Sequence, residues 1–156
     1  MESNGPDDLF SRILNSPALL GPILLVGRVF MAAVFMTFGI GKIIHTARMQ
    51  AYMEAHGVPS SLIWLAILVQ IAGAVLVILG YQTRLAALML AGFCIIATCL
   101  FHTQFQVAGE LAHFTKDFAI AGGFFFVIAY GPGPLSLDAR RRLRKKGKAT
   151  AAFAAR

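Results

Sequence analysis

Apolar and polar positions alternate along this chain on the scale of whole helices. A membrane-spanning helix needs about 20 mostly apolar residues, and four runs approach that length. The first covers residues 22–44, interrupted by Arg28 and Lys42. The second, 62–80, has Gln70 as its one strongly polar residue, and the third, 85–103, is charge-free. The charge-free part of the fourth begins only at Phe118, which is too short to span, so its start is drawn back to give 111–130 and brings Lys116 and Asp117 inside. The pattern predicts an all-α polytopic membrane protein, a four-transmembrane-helix bundle over residues 18–135. A segment of residues 1–17 precedes it and a basic tail of residues 136–156 follows.

The connections fit that reading. Tyr81 to Arg84, YQTR, is a tight turn between two spans. His45 to Ser61 reads as a longer loop closed by Gly57, Pro59 and two serines that could cap the next helix. His102 to Glu110 is the last loop between spans, and the run Tyr130 to Pro134, YGPGP, stops the fourth helix. Ser136 is placed to cap a short basic helix, and the Ala- and Lys-rich stretch after Gly147 reads as disordered.

Composition sharpens the picture. Hydrophobic residues make up 58% of the 156 and charged ones 13%, with a mean hydropathy of +0.72, which argues against both a soluble globule and a disordered chain. The net charge of +7 is concentrated in the tail: eight of the fourteen basic residues lie beyond Asp138. Arg12 and Arg84 fall on the tail's side of a four-span topology, and Lys42, Arg48 and Lys116 on the other. The excess places both termini in the cytoplasm of a bacterial inner membrane. Arg140, Arg141, Arg142, Arg144, Lys145 and Lys146 are then expected to contact anionic lipid. The tail lacks the interleaved aromatics and folded scaffold of a nucleic-acid binder. The acidic N-terminus does not read as a cleaved secretory signal, so the first run is expected to stay as an anchor.

Polar residues inside a membrane are expensive and mark function by default. Arg28 and Lys42, fourteen residues apart, share a face with Ala32, Phe35 and Gly39. Gln70 shares one with Gly73, Val77 and, if that helix reaches it, Arg84. Faces mixing small and polar residues turn inward, so these two are expected to meet. Helical rise puts Lys42 and His102 near the outer ends of their spans, Lys116 and Asp117 about 8–9 Å in, and Gln70 about 12 Å in. Together they outline a polar pocket opening outward, with a lysine neutralising Asp117. The competing reading makes Lys42, Lys116 and Asp117 ordinary interfacial anchors. Arg28 and Arg84 are the other intramembrane or interfacial charges, and Arg28 is expected to snorkel to the headgroups.

Other chemistry is sparse. His45, His56, His102 and His113 all fall on the outer side, but their spacing matches no metal pattern. Cys94 and Cys99 face different directions on one helix and read as packing residues. Ala119 and the Gly122–Gly123 pair read as close helix packing. No phosphate loop or nucleophile elbow is present.

The stretches GRVFMAAVFMTFGIGKI (Gly27–Ile43), QIAGAVLVILGYQTRLAAL (Gln70–Leu88) and FTKDFAIAGGFFFVIAYGPGPLSLD (Phe114–Asp138) occur in order. On them the chain resembles the DoxX family of small four-helix bacterial membrane proteins, over about Leu20 to Asp138. The motifs G-x-x-K at Gly39–Lys42, L-G-x-x-T-R at Leu79–Arg84 and the terminal G-P-G-P-L-S-L-D carry the likeness jointly. The chain departs from the family pattern at Gln70, often a Glu, and at Asp117, often an Asn. The resemblance implies a link to quinone through the membrane subunit of a thiosulfate:quinone oxidoreductase. It equally implies membrane partners of soluble redox or detoxifying enzymes. Fold carries over from such a likeness more firmly than function.

Three readings of function follow, and the sequence leaves open whether the chain is an enzyme. The first is a quinone-linked redox component whose pocket hydrogen-bonds a quinone head. The chain has no evident cofactor-ligating signature, so electrons would come from a partner or a small reductant. The second is a non-catalytic anchor or assembly partner for a soluble redox enzyme. A small-solute transporter ranks last, because no inverted repeats or broken helices are visible.

Overall fold

The computed structural model describes residues 10–11 and 16–154. It contains six helices and no strand among the described residues. They are α1 (Pro17–Ile44), α2 (Thr46–Ala55), α3 (Ile63–Leu79), α4 (Thr83–Phe101), α5 (Glu110–Tyr130) and α6 (Leu137–Ala154), with a 3-10 turn at Ser60–Leu62 leading into α3. Four stretches are long and apolar enough to cross a membrane: Ala18–Ile44, Ser60–Leu79, Thr83–Phe101 and Glu110–Tyr130. The four expected spans are therefore present, with ends shifted by a few residues. The largest shift is in α1, which begins five residues early because Pro17 occupies its first turn, where the missing N–H costs nothing. Pro22 lies inside the helix rather than at its start.

The expected inward faces are the observed ones. Arg28, Ala32, Phe35 and Gly39 are buried on α1, and Gln70, Gly73, Ala74 and Val77 on α3. Small residues allow the close approach. A Cβ on Gly39 would stand 2.8 Å from Ile71 of α3, and one on Gly73 would stand 2.8 Å from Leu90 of α4. On α4, Ala87, Ala91, Cys94 and Thr98 recur at helical spacing and are buried, while Cys99 points outward. The seam between α1 and α5 is filled instead by large side chains: Phe35 packs on Phe124 at 5.5 Å, and Met31 fills the space opposite Gly123. Gly122 faces open space, so the close-packing role expected of the pair belongs to Gly123 alone. Outside the bundle, Phe30 is 71% exposed, Phe126 69% and Leu68 62%, an apolar coat that suits lipid rather than water.

Three connecting regions differ from expectation. Most of the expected loop from His45 is helix α2, whose Met53 is buried with Ile63 and Ile67 of α3. It carries one short apolar face rather than a long apolar run, which is why hydropathy passes over it. The serines at 60–61 form the 3-10 turn and make no side-chain cap. The tail stays helical past Gly147 to Ala154. Ser136 does cap it: its Oγ accepts from Ala139 N–H at 3.1 Å and donates to Gly133 O at 2.7 Å.

Candidate functional site

Polar groups gather at both ends of the bundle. The tail end, which carries α6, is built around the α3–α4 turn. Helix α3 stops at Gly80, in the left-handed region at φ 67°, where Tyr81 N–H bonds Leu76 O at 3.0 Å. A side chain at Gly80 would collide with the Arg28 guanidinium and with Ser136. Arg28 donates to Val77 O at 3.3 Å and to Leu135 O. It is 2% exposed, so the expected snorkelling is corrected. A carbonyl in the last turn of α3, where the partial negative charge of a helix C-terminus favours a cation, and one in the segment between α5 and α6 hold it inside. Its Nε has no hydrogen-bond partner.

Asp138 closes the same end. Its carboxylate accepts from Gln82 N–H (3.0 Å), Thr83 N–H (2.9 Å) and Thr83 Oγ1 (2.8 Å), so it caps α4 from across the molecule. Its own N–H donates to Gly80 O at 2.9 Å. Burial pushes its carboxyl up, but the bonds from Thr83 and Gln82 and the charge of Arg142 outweigh this and hold it below the usual range. Arg84 does not share the Gln70 face, because Gly80 ends that helix. It sits in the first turn of α4 and donates to Ala129 O at 3.1 Å. The L-G-x-x-T-R and G-P-G-P-L-S-L-D motifs thus form one interlocked joint.

The far end carries the ionisable residues that the sequence singled out. Thr98 Oγ1 donates to Asp117 Oδ2 at 2.8 Å, and Lys116 Nζ lies 3.4 Å from Asp117 Oδ1. Lys116 Nζ also stands 3.5 Å from His113 Nδ1. The His113 ring stacks on His102 with centroids 5.1 Å apart, and His102 Nδ1 meets Glu110 Oε2 at 3.0 Å. These contacts form a continuous ladder from Glu110 in the first turn of α5 to Thr98, which is fully buried. Lys42 joins from α1: its Nζ lies 5.9 Å from the centroid of the Phe38 ring, and Lys116 Nζ 5.4 Å from the same ring. Phe38 is half exposed, so this meeting point at the α1–α5 seam opens to the bundle exterior. At the same end, Tyr52 of α2 and His56, which caps that helix, pack on Phe101, and burial and the Glu110 charge push the Tyr52 phenol up.

Four of the five expected pocket residues therefore join through contacts: Lys42, His102, Lys116 and Asp117. Gln70 lies apart on α3, with its Cβ close to where a side chain on Gly39 would stand. It is 4% exposed and its Oε1 has no hydrogen-bond partner. Sequence reasoning passed over Thr98, Phe38 and Glu110, and it placed His113 on the outer side without joining it to the pocket. The signal for Thr98 was present, since it falls one turn beyond Cys94 on the small-residue face of α4. Among the described residues, no three His, Cys, Asp or Glu side chains are grouped to hold a metal ion.

Comparison with known proteins agrees with this architecture. The DoxX family model matches residues 23–103. The inner membrane protein YqjF of Escherichia coli (strain K12) is 41% identical over 123 residues, which covers 79% of this chain and 93% of the relative. The inner membrane protein YphA of the same organism is 27% identical over 125 residues, covering 76% and 89%. No solved structure matches. With more than half of its residues inside the family model and four spans of the expected kind, the chain belongs to the DoxX family of multi-pass inner-membrane proteins.

Proposed function

We propose that this protein is a quinone-linked component of a membrane redox system, with the head of a lipid-dissolved quinone seated at the outer half of the α1–α5 seam. The observation that carries this reading is the polar ladder from Glu110 through His102, His113 and Lys116 to Asp117, ending beside the half-exposed Phe38 ring. A quinone head is a flat ring with two carbonyl oxygens. Lys42 and Lys116 supply ammonium donors for such oxygens, and Phe38 offers a face for the ring. Reduction to the quinol takes up two protons with two electrons, and the ladder supplies a route of titratable groups for the protons. The electrons come from a partner protein or a small reductant. The orphaned Gln70 Oε1 fits a role as an acceptor deeper in the bundle.

The test is extraction of the protein, purified in mild detergent, followed by optical and chromatographic analysis for quinone and titration with a short-chain quinone. Wild type should retain or bind quinone, and the Lys42→Met/Lys116→Met double variant should not. A wild-type protein without bound quinone and without affinity for the added one overturns the reading. So does a double variant, or Asp117→Asn, that leaves protein level and quinone reduction in membranes unchanged.

The exposed basic helix α6 supports a second reading, an anchor for a soluble redox enzyme. In that case, deleting residues 139–156 abolishes function while the lysine double variant behaves as wild type.

A further inference from the structure

At the tail end, α6 and the α3–α4 turn enclose an open groove of about 580 Å³. Six cations line it: Arg84, Arg141, Arg142, Arg144, Lys145 and Lys148. Arg141, Lys145 and Lys148 recur at one-turn spacing on one face of α6. Two of the guanidiniums are fixed in place. Arg141 lies 4.2 Å from the centroid of the Tyr81 ring, and Arg84 is bonded to Ala129 O. The single carboxylate in the lining, Asp138, already accepts three hydrogen bonds from Gln82 and Thr83, so most of its acceptor sites are committed to the turn, and its one charge stands against six cations. The groove is a concentration of positive charge with little internal neutralisation.

We propose that this groove is a discrete binding site for the phosphate of an anionic phospholipid headgroup, favouring a headgroup with two phosphates over one. Its depth argues for lipid. Arg84 stands in the first turn of a membrane span, so the groove mouth lies at headgroup level. Guanidiniums grip phosphate oxygens in pairs, and six cations exceed what one phosphodiester can satisfy. Basic pockets at the ends of spanning helices are suited to such headgroups. The proposal goes beyond diffuse attraction of a polybasic tail, because it separates cations that line the groove from those that do not. Arg140 and Lys146 lie on the same helix outside the lining. The site is independent of the quinone seam at the other end of the bundle.

The full-length protein in neutral detergent can be titrated by native mass spectrometry with cardiolipin, phosphatidylglycerol and phosphatidylcholine, with inorganic phosphate as a competitor. Cardiolipin should bind ahead of phosphatidylglycerol, and phosphatidylcholine least. The triple variant Arg141→Gln/Lys145→Gln/Lys148→Gln should weaken cardiolipin binding by about a hundred-fold, at roughly five-fold per cation. The control Arg140→Gln/Lys146→Gln should stay within about two-fold, because its cations lie off the groove. All these positions are exposed, so neither variant threatens the fold. Equal losses in the two variants reduce the groove to diffuse attraction and overturn the proposal. Displacement of cardiolipin by equimolar inorganic phosphate would make the site one for a soluble anion. No preference among the three lipids overturns it as well.

Discussion

The two ends of the bundle use similar residues to opposite effect. At the tail end, Arg28, Arg84 and Asp138 find backbone partners: carbonyls of Val77, Leu135 and Ala129, and the N–H groups of Gln82 and Thr83. At the far end, Lys42, Lys116, Asp117 and the histidines lean on one another and on the Phe38 ring. Backbone partners are fixed by the helices that carry them, so Arg28 and Asp138 at the tail end are spent on structure. Side-chain partners can reorient and exchange protons, so the far-end charges remain available. The sign and number of charges do not separate a joint from a site, but the nature of their partners does.

The hardest way to break the contrast is at the joint. Gly80→Ala should cost about 3 kcal/mol, combining an unfavourable left-handed residue with a collision against Arg28 and Ser136. It should appear as a large fall in melting temperature or as loss of the protein from membranes. Asp138→Ala removes a cap and should cost about 1–2 kcal/mol by the same measurement. The pH dependence sharpens this second prediction. Because the folded Asp138 carboxyl sits below its usual range, its stabilisation is complete above about pH 4 and disappears as the pH falls through the lower folded value. The gap in melting temperature between wild type and Asp138→Asn should therefore be constant from pH 7 to pH 5 and close only in stronger acid.

Substitutions at the far end should separate stability from activity. Lys42→Met/Lys116→Met/Asp117→Asn, which removes the Lys116–Asp117 pair whole together with Lys42, should leave the melting temperature unchanged or raised, since intramembrane charge is costly, while quinone binding is lost. A triple variant that melts early would instead assign those charges to structure and erase the contrast. The smallest expected loss of stability is that of Thr98→Val, about 0.6 kcal/mol for one hydrogen bond inside a membrane bundle, read as a slightly lower melting temperature.

The number of spans and their inward faces were legible in the chain, because a bilayer demands long apolar runs and a helix repeats its buried positions every three to four residues. Arg28, Ala32, Phe35 and Gly39 could be aligned from their spacing alone. The fate of Arg28 could not. Its partners are backbone carbonyls of residues 77 and 135, and a carbonyl leaves no mark on residue identity. Asp138 was visible as the last letter of a motif, yet its task depends on a turn more than fifty residues earlier. Helix α2 escaped because ten amphipathic residues look like a loop beside twenty apolar ones. At the candidate site, Lys116 and Asp117 are neighbours in sequence, whereas the stacking of His102 on His113 depends on how the α4–α5 loop folds back.

The Arg28 contacts also join parts of the chain that are made far apart in time. This guanidinium enters the membrane with the first span, but Leu135, one of its two carbonyl partners, lies 107 residues further along the chain. Until the last span and the GPGP segment have been made, the nascent bundle holds a costly cation that lacks one of its bonds. Completion of the chain relieves that penalty at once and ties the first span to the end of the last. Arg28 thus acts as a clasp between the first span and the end of the last: a chain that stops before residue 135 lacks one of the two carbonyls that hold the guanidinium.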